Sequence, residues 1–208
     1  MTSIVIYNVE KPCFTSVIGY FIDDMEVCGQ ITKNGYTPIK LLTSRQDSVD
    51  CRYYHAEGAK KAVIWVGGIG GEWLGYAAKK LYPHMRQKLV NNGRISSIGV
   101  HYRYSTHLDE SIIDIIAGIE FLEHTGIQPV GFVGHSLGGS VVIEAAAAVA
   151  NIIRTVVTLS TQKYGTVDTV SQLRQCCSIL LIHGINDDDI LWPSCSSCVY
   201  KKQIILSK

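Results

Sequence analysis

The stretch Val130-Gly131-Phe132-Val133-Gly134-His135-Ser136-Leu137-Gly138-Gly139 runs directly into Ser140-Val141-Val142-Ile143-Glu144-Ala145-Ala146. A short apolar run leads to a serine flanked by glycines, and an alanine-rich, helix-favouring segment follows at once. Physically, this is a strand that turns sharply into a helix with Ser136 at the corner. Gly134 and Gly138 stand two residues either side of Ser136, where strand and helix approach so closely that a side chain would clash. The pattern is a G-x-S-x-G elbow together with the strand and helix that the motif requires around it. A bare five-residue match is common by chance, as a glycine-rich turn that happens to hold a serine; the flanking context favours function. Such a turn exposes the serine hydroxyl at the end of a sheet. It also aims the backbone N–H of Leu137 at the place where an oxyanion would form.

Outward from the elbow, the chain alternates strand and helix patterns. Ala62-Val63-Ile64-Trp65-Val66 is a continuous apolar run, as expected of a strand buried on both faces. Gly67-Gly68-Ile69-Gly70-Gly71 follows. Leu74, Ala78, Leu81, Met85 and Leu89 then recur at helical spacing up to Asn91-Asn92-Gly93, and Pro83 inside that pattern is predicted to kink or split the helix. Residues 95–100 read as a strand. Thr106 with Asp109 and Glu110 marks a helix start, since acidic groups suit the positive end of the helix dipole. Ile112, Ile115, Ile116, Ile119 and Leu122 form the apolar face of that helix, and Gly126 ends it. Beyond the elbow, residues 152–159, 178–182 and 203–206 read as strands, and 169–175 and 194–201 as short helices.

Upstream, residues 26–45 read as a hairpin, with strands at 27–32 and 37–43 about the Lys33-Asn34-Gly35 turn. Residues 51–55 add a short strand. Alternation of this kind predicts an α/β fold, a mostly parallel sheet with helices on both faces. No repeat or linker divides it, so residues 26–208 form one domain. Residues 1–25, with strand-like composition at 3–7 and 17–22, are an N-terminal extension of uncertain packing.

The 208 residues suffice for a single substantial core, and a chain 47% hydrophobic and 18% charged is globular rather than disordered. A net charge of +1 gives no electrostatic reason to expect nucleic acid or an acidic membrane surface as partner. Residues 1–10 lack the basic segment and long apolar core of a secretory signal. The apolar runs at 17–22 and 141–150 are too short to span a bilayer. A cytoplasmic location is the expectation, with the seven cysteines as reduced thiols. Cys195-Ser196-Ser197-Cys198 lacks a second ligand pair at zinc-binding spacing, so it reads as unpaired thiols and no metal is expected.

On the elbow and its context, the sequence resembles the α/β-hydrolase family. Asp114-Ile115-Ile116-Ala117-Gly118-Ile119-Glu120-Phe121-Leu122 is similar to the family's helix before the elbow strand. Tyr102-Arg103 resembles the family's Tyr-Arg after its fourth strand, with Tyr104 in place of the usual glycine. The likeness spans roughly residues 26–206 and points to the dienelactone-hydrolase-like or serine-aminopeptidase-like side of the family. It implies transfer of an acyl group to water from a carboxylic ester or similar small-molecule acyl substrate. The route is an acyl-enzyme on Ser136, with no metal or cofactor.

The resemblance also implies the remaining parts. Val66-Gly67-Gly68-Ile69-Gly70-Gly71 resembles the H-G-G-G-type loop, with Val66 where a histidine often sits. By position, the backbone N–H of Gly68 is the second oxyanion donor, with Ile69 the second choice. The same loop fits neither G-x-G-x-x-G nor G-x-x-x-x-G-K-[ST], which ranks nucleotide binding well below hydrolysis. His183-Gly184-Ile185-Asn186-Asp187 resembles the family's H-G-x-x-D, making Asp187 the acid ahead of Asp188 and Asp189.

The base has no counterpart. The family's histidine follows the last strand, yet none of His55, His84, His101, His107, His124, His135 and His183 lies beyond Asp187. His101 and His107 follow the strand at 95–100, at the active-site end of the sheet. Two readings follow. One is a C-terminally shortened hydrolase that lacks the final histidine loop, the closing helix and any large lid. The other is a non-catalytic relative that binds a small acyl ligand or a protein partner. Weak or undetectable steady-state hydrolysis is expected of these 208 residues.

Overall fold

The computed structural model describes residues 22–43, 47–71, 76–162, 169–170, 173, 177–184 and 203–206. Its strands are β1 (Ile22–Val27), β2 (Thr37–Thr43), β3 (Ser48–Tyr54), β4 (Lys61–Val66), β5 (Ile95–His101), β6 (Val130–His135), β7 (Ile153–Leu159), β8 (Ser178–Gly184) and β9 (Gln203–Leu206). Its helices are α1 (Tyr76–Gly93), α2 (Leu108–His124) and α3 (Leu137–Ala148). Among the described residues the strands join in one nine-stranded sheet, in the order β1-β2-β3-β5-β4-β6-β7-β8-β9. β4 to β9 run parallel, while β3 is antiparallel to β5, β2 to β3 and β1 to β2.

This order sets the position of everything that follows. From β4 the chain crosses back to β5, and from β5 it crosses over β4 to reach β6. The direction of winding reverses between β4 and β6. In an open parallel sheet, ligands bind in the crevice beyond the carboxyl ends of the strands at such a reversal. The Gly67–Gly71 loop leaves β4 on one side of that crevice, and the Ser136 turn leaves β6 on the other.

Side chains of β4 alternate between two cores, as the period of two requires. Ala62, Ile64 and Val66 pack with Ile115, Ile119 and Leu122 of α2 and with Val141, Val142 and Ala145 of α3. Trp65 faces the other way, onto Tyr82, with Val63, Met85 and Leu89 around the pair. Thus α2 and α3 cover one face of the sheet and α1 the other, as right-handed crossovers demand.

Two sequence expectations are corrected. The first strand of the hairpin is Ile22–Val27, not residues 27–32, and it pairs Ile22 with Thr43 and Val27 with Ile39. The Asn-Gly turn does form, closed by Thr32 N–H to the Tyr36 carbonyl at 2.8 Å. The segment before it stays out of the ladder, and Ile31 is 73% exposed. Secondly, of the kink or split expected at Pro83, the split does not occur: α1 runs from Tyr76 to Gly93. Tyr82 and Arg86, on either side of the proline, are fully buried, and that packing outweighs the backbone bond the proline lacks. The same helix leaves the expected core residue Leu81 43% exposed. The helix start expected near Thr106 is present: α2 begins at Leu108 with His107 at its N-cap and Asp109 and Glu110 in its first turn.

Arg86 is a fully buried cation. Its guanidinium carbon lies 5.4 Å from the ring centre of Tyr54 and 5.6 Å from those of Trp65 and Tyr82. Desolvated cation–π contacts are worth about 2 kcal/mol. Arg86→Met keeps most of the volume and is expected to lower stability by about that amount in urea unfolding. Arg86→Lys should not restore it, because the compact ammonium lacks the planar group that stacks on rings. Wild-type stability in Arg86→Met would show that the cation contributes nothing at this place.

No described helix is long and apolar enough to cross a membrane. The segment at 3–7, the helix at 194–201, the Cys195/Cys198 pair and all but three residues of the helix at 169–175 lie outside the described residues.

Candidate active site

Ser136 stands between the end of β6 and the start of α3 with φ 55° and ψ −122°, a region that residues with a side chain rarely enter. The neighbours impose this conformation. The Ser136 N–H donates to the Leu159 carbonyl of β7 at 2.9 Å, and the Ser136 carbonyl accepts from Gly139 N–H at 3.0 Å and Gln162 N–H at 3.4 Å. The Ser140 hydroxyl adds a bond to the Gln162 carbonyl at 3.1 Å, tying α3 to the segment after β7. Backbone strain held this firmly at a sheet end is a feature of functional sites.

The two elbow glycines are required for separate reasons. A Cβ on Gly134 would overlap the Gly138 carbonyl, so strand and helix do meet there as expected. A Cβ on Gly138 would instead overlap the Gly67 carbonyl, with the Val66 carbonyl 2.7 Å away. Gly138 therefore permits contact between the elbow and the loop after β4, which is a contact between distant parts of the chain.

That contact brings Gly68 to the serine. A Cβ built on Gly68 would stand 3.1 Å from Ser136 Cβ and 3.5 Å from its Oγ. Leu137, buried, opens α3; N–H groups in the first turn of a helix have no partner within the helix and carry its positive dipole end. The structure thus brings together Ser136, Leu137 and Gly68, three of the four residues singled out in the sequence. The fourth, Asp187, lies outside the described residues, as do Asp188 and Asp189. The alternative donor Ile69 is 62% exposed.

Two tyrosines anchor the loop by its carbonyls. The Tyr82 hydroxyl of α1 donates to the Val66 carbonyl at 3.0 Å. The Tyr102 hydroxyl donates to the Gly67 carbonyl, also at 3.0 Å. Burial, with the nearby Tyr82 and Asp114 adding to it, holds the Tyr102 phenol well above its ordinary pKa, so it remains a donor at any pH used for an ester assay. Tyr102 is followed by Arg103, whose backbone N–H and Nε both donate to Asp114 of α2, at 2.8 and 2.6 Å. Arg103 also reaches Asp47 at 2.8 Å and Glu110 at 3.1 Å. Sequence reasoning did not find these anchors, since hydroxyl-to-carbonyl bonds across the fold leave no local pattern.

The histidines are spread widely. His101 ends β5, half-buried, with its ring against Gly71, where a Cβ would overlap ring atom Nδ1. β4 stands between its strand and the serine's strand. His107 is exposed beside Tyr104 at the start of α2. His84, His124 and His55 are exposed, with His124 bonded to the Glu120 carbonyl and His55 to the Tyr53 hydroxyl. His135 ends β6 beside Ser136, and His183 is buried near the end of β8.

A family model described as the alpha/beta hydrolase fold matches residues 83–176. No curated protein matches the chain. Among solved structures, the dienelactone hydrolase from Anabaena variabilis is 14% identical, covering 84% of this chain and 87% of its own, with a TM-score of 0.65. Est1E from Butyrivibrio proteoclasticus is 14% identical over 84% of this chain and 88% of its own, with a TM-score of 0.62. XC6422 from Xanthomonas campestris, a lid-less serine hydrolase of this architecture, is 14% identical over 86% and 87%, with a TM-score of 0.62. Strand order, the turn at Ser136 and these matches agree: this chain has the α/β-hydrolase fold.

Proposed function

We propose that this protein is a serine hydrolase in which Ser136 attacks the carbonyl of a carboxylic ester or similar small acyl substrate. The backbone N–H groups of Leu137 and Gly68 receive the developing oxyanion, and Asp187 is the acid that orients a base. The observation that carries this reading is the approach of the Gly68 loop to the strained Ser136 turn. Two loops from opposite sides of the winding reversal meet at one hydroxyl, which is the arrangement acyl transfer needs. Neighbours named as a dienelactone hydrolase and as a lid-less serine hydrolase support a small acyl substrate in an open pocket.

The serine must lose its proton to react, and no histidine follows Asp187 in the sequence. Sites of this type without one triad member retain only about 10³- to 10⁴-fold acceleration over water. These 208 residues should therefore acylate slowly and turn over weakly.

Incubation with a short-chain p-nitrophenyl ester, followed by mass spectrometry, tests this. The expected result is an acyl adduct on the peptide that carries Ser136, with slow p-nitrophenol release, and neither in Ser136→Ala. Equal release by wild type and Ser136→Ala with no adduct would overturn the reading and favour a non-catalytic binding protein. Rapid multiple turnover that needs Ser136 would overturn only the missing base, and His101 would then be the first residue to replace.

A further inference from the structure

We infer that Tyr102 is a positioning residue that fixes the direction of the Gly68 N–H through the other end of the same peptide unit; this rests on the hydrolase reading above. The Gly67 carbonyl and the Gly68 N–H belong to one planar trans peptide, so they point in opposite directions. The Tyr102 hydroxyl holds the carbonyl at 3.0 Å. Gly138 allows that same carbonyl to lie against the first turn of α3. With the carbonyl end held by Tyr102, the N–H end faces the opposite way, toward the crevice beside Ser136, whose Cβ a Cβ built on Gly68 would approach to 3.1 Å. The Tyr82 hydroxyl fixes the preceding peptide by its Val66 carbonyl, so two successive units of a glycine-rich loop are held.

The anchor is itself rigid. Tyr102 is 3% exposed. The next residue, Arg103, is fastened to the fully buried Asp114 by its backbone N–H as well as its side chain. A line of bonded groups therefore runs from α2 through Arg103 and Tyr102 to the Gly67–Gly68 peptide. A loop of glycines has many accessible backbone conformations, and oxyanion stabilisation depends on donors that are preorganised. Tyr102 supplies that order without touching substrate.

The test is Tyr102→Phe in the full chain, which keeps the ring and removes only the hydroxyl, with Tyr53→Phe as control. Two readouts are taken. In isotope-labelled protein the Gly67 carbonyl-carbon and Gly68 amide resonances should move in Tyr102→Phe and stay in place in Tyr53→Phe. In the ester assay the Ser136-dependent acylation rate should fall about tenfold at saturating substrate with half-saturation unchanged, less than the 10²- to 10³-fold loss when an oxyanion donor is removed outright. Tyr82→Phe should move the Gly67 amide instead. Unmoved Gly67 and Gly68 resonances, or a rate equal to wild type, would overturn the inference. If wild type and Ser136→Ala react alike, the hydrolase reading falls; moved resonances would then uphold the loop anchor, and unmoved ones would overturn it.

Discussion

Asp114→Ala is expected to lower the unfolding free energy by about 4 kcal/mol, within the range for breaking a buried ion pair by removing one partner. The Asp114 side chain is completely buried, and that of Arg103 is 8% exposed. Removing the carboxylate ends two charge-assisted hydrogen bonds and leaves a guanidinium largely shut off from water. Asp47 and Glu110 remain as partners, but they are 44% and 27% exposed and cannot replace a contact made inside the core. Urea unfolding at low and high salt provides the check. The loss should be nearly the same in both, because a pair sealed from solvent is poorly screened. Asp47→Ala, by contrast, should lose no more than about 1 kcal/mol, and less in high salt. A loss from Asp114→Ala as small as that from Asp47→Ala would mean that burial adds nothing to the pair.

Gly138→Ala should be nearly as damaging and should also silence Ser136. The added methyl would overlap the Gly67 carbonyl and crowd the Val66 carbonyl, both of them backbone atoms already held by tyrosine hydroxyls. No flexible side chain can give way, so the elbow and the loop must separate. Overpacking commonly costs 1–3 kcal/mol and more when the backbone has to shift; about 3 kcal/mol is expected here. The acyl adduct on Ser136 should be lost even where the variant remains folded, since separation takes Gly68 away from the serine. Gly131→Ala is the matched control: its Cβ would meet nothing nearer than 3.8 Å, so stability and adduct should both be retained. A Gly138→Ala protein that acylates like wild type would show that the loop need not touch the elbow.

Much of this architecture is written locally in the chain. Gly134, Ser136 and Gly138 fall within five residues, and a strand-turn-helix of that tightness admits no side chain at Gly134. The apolar runs of β4 and β6 and the helical spacing of α2 are likewise set by neighbours in sequence, because side-chain period follows backbone conformation. Those features gave the sheet, the helices on both faces and three residues of the candidate site. Asp187 was chosen from a motif resemblance, and it lies outside the described residues.

Other features depended on residues far apart in the chain. Which segment pairs with β2 is decided beyond the local pattern: residues 22–27 take the ladder, and Ile31 is left exposed. Whether Pro83 breaks α1 is decided by the packing of Tyr82 and Arg86 against β3 and β4, a gain invisible in the helix's own spacing. The reach of Arg103 to Asp47, the hold of Tyr102 on Gly67 and the need for glycine at 138 each join residues separated by a strand or more. The sequence by itself determined the strand-turn-helix that carries Ser136, because local sterics and periodicity suffice for that. Only the tertiary structure decided what holds the Gly67–Gly71 loop against that serine, because buried polar groups bond to whatever partner the folded sheet brings within reach.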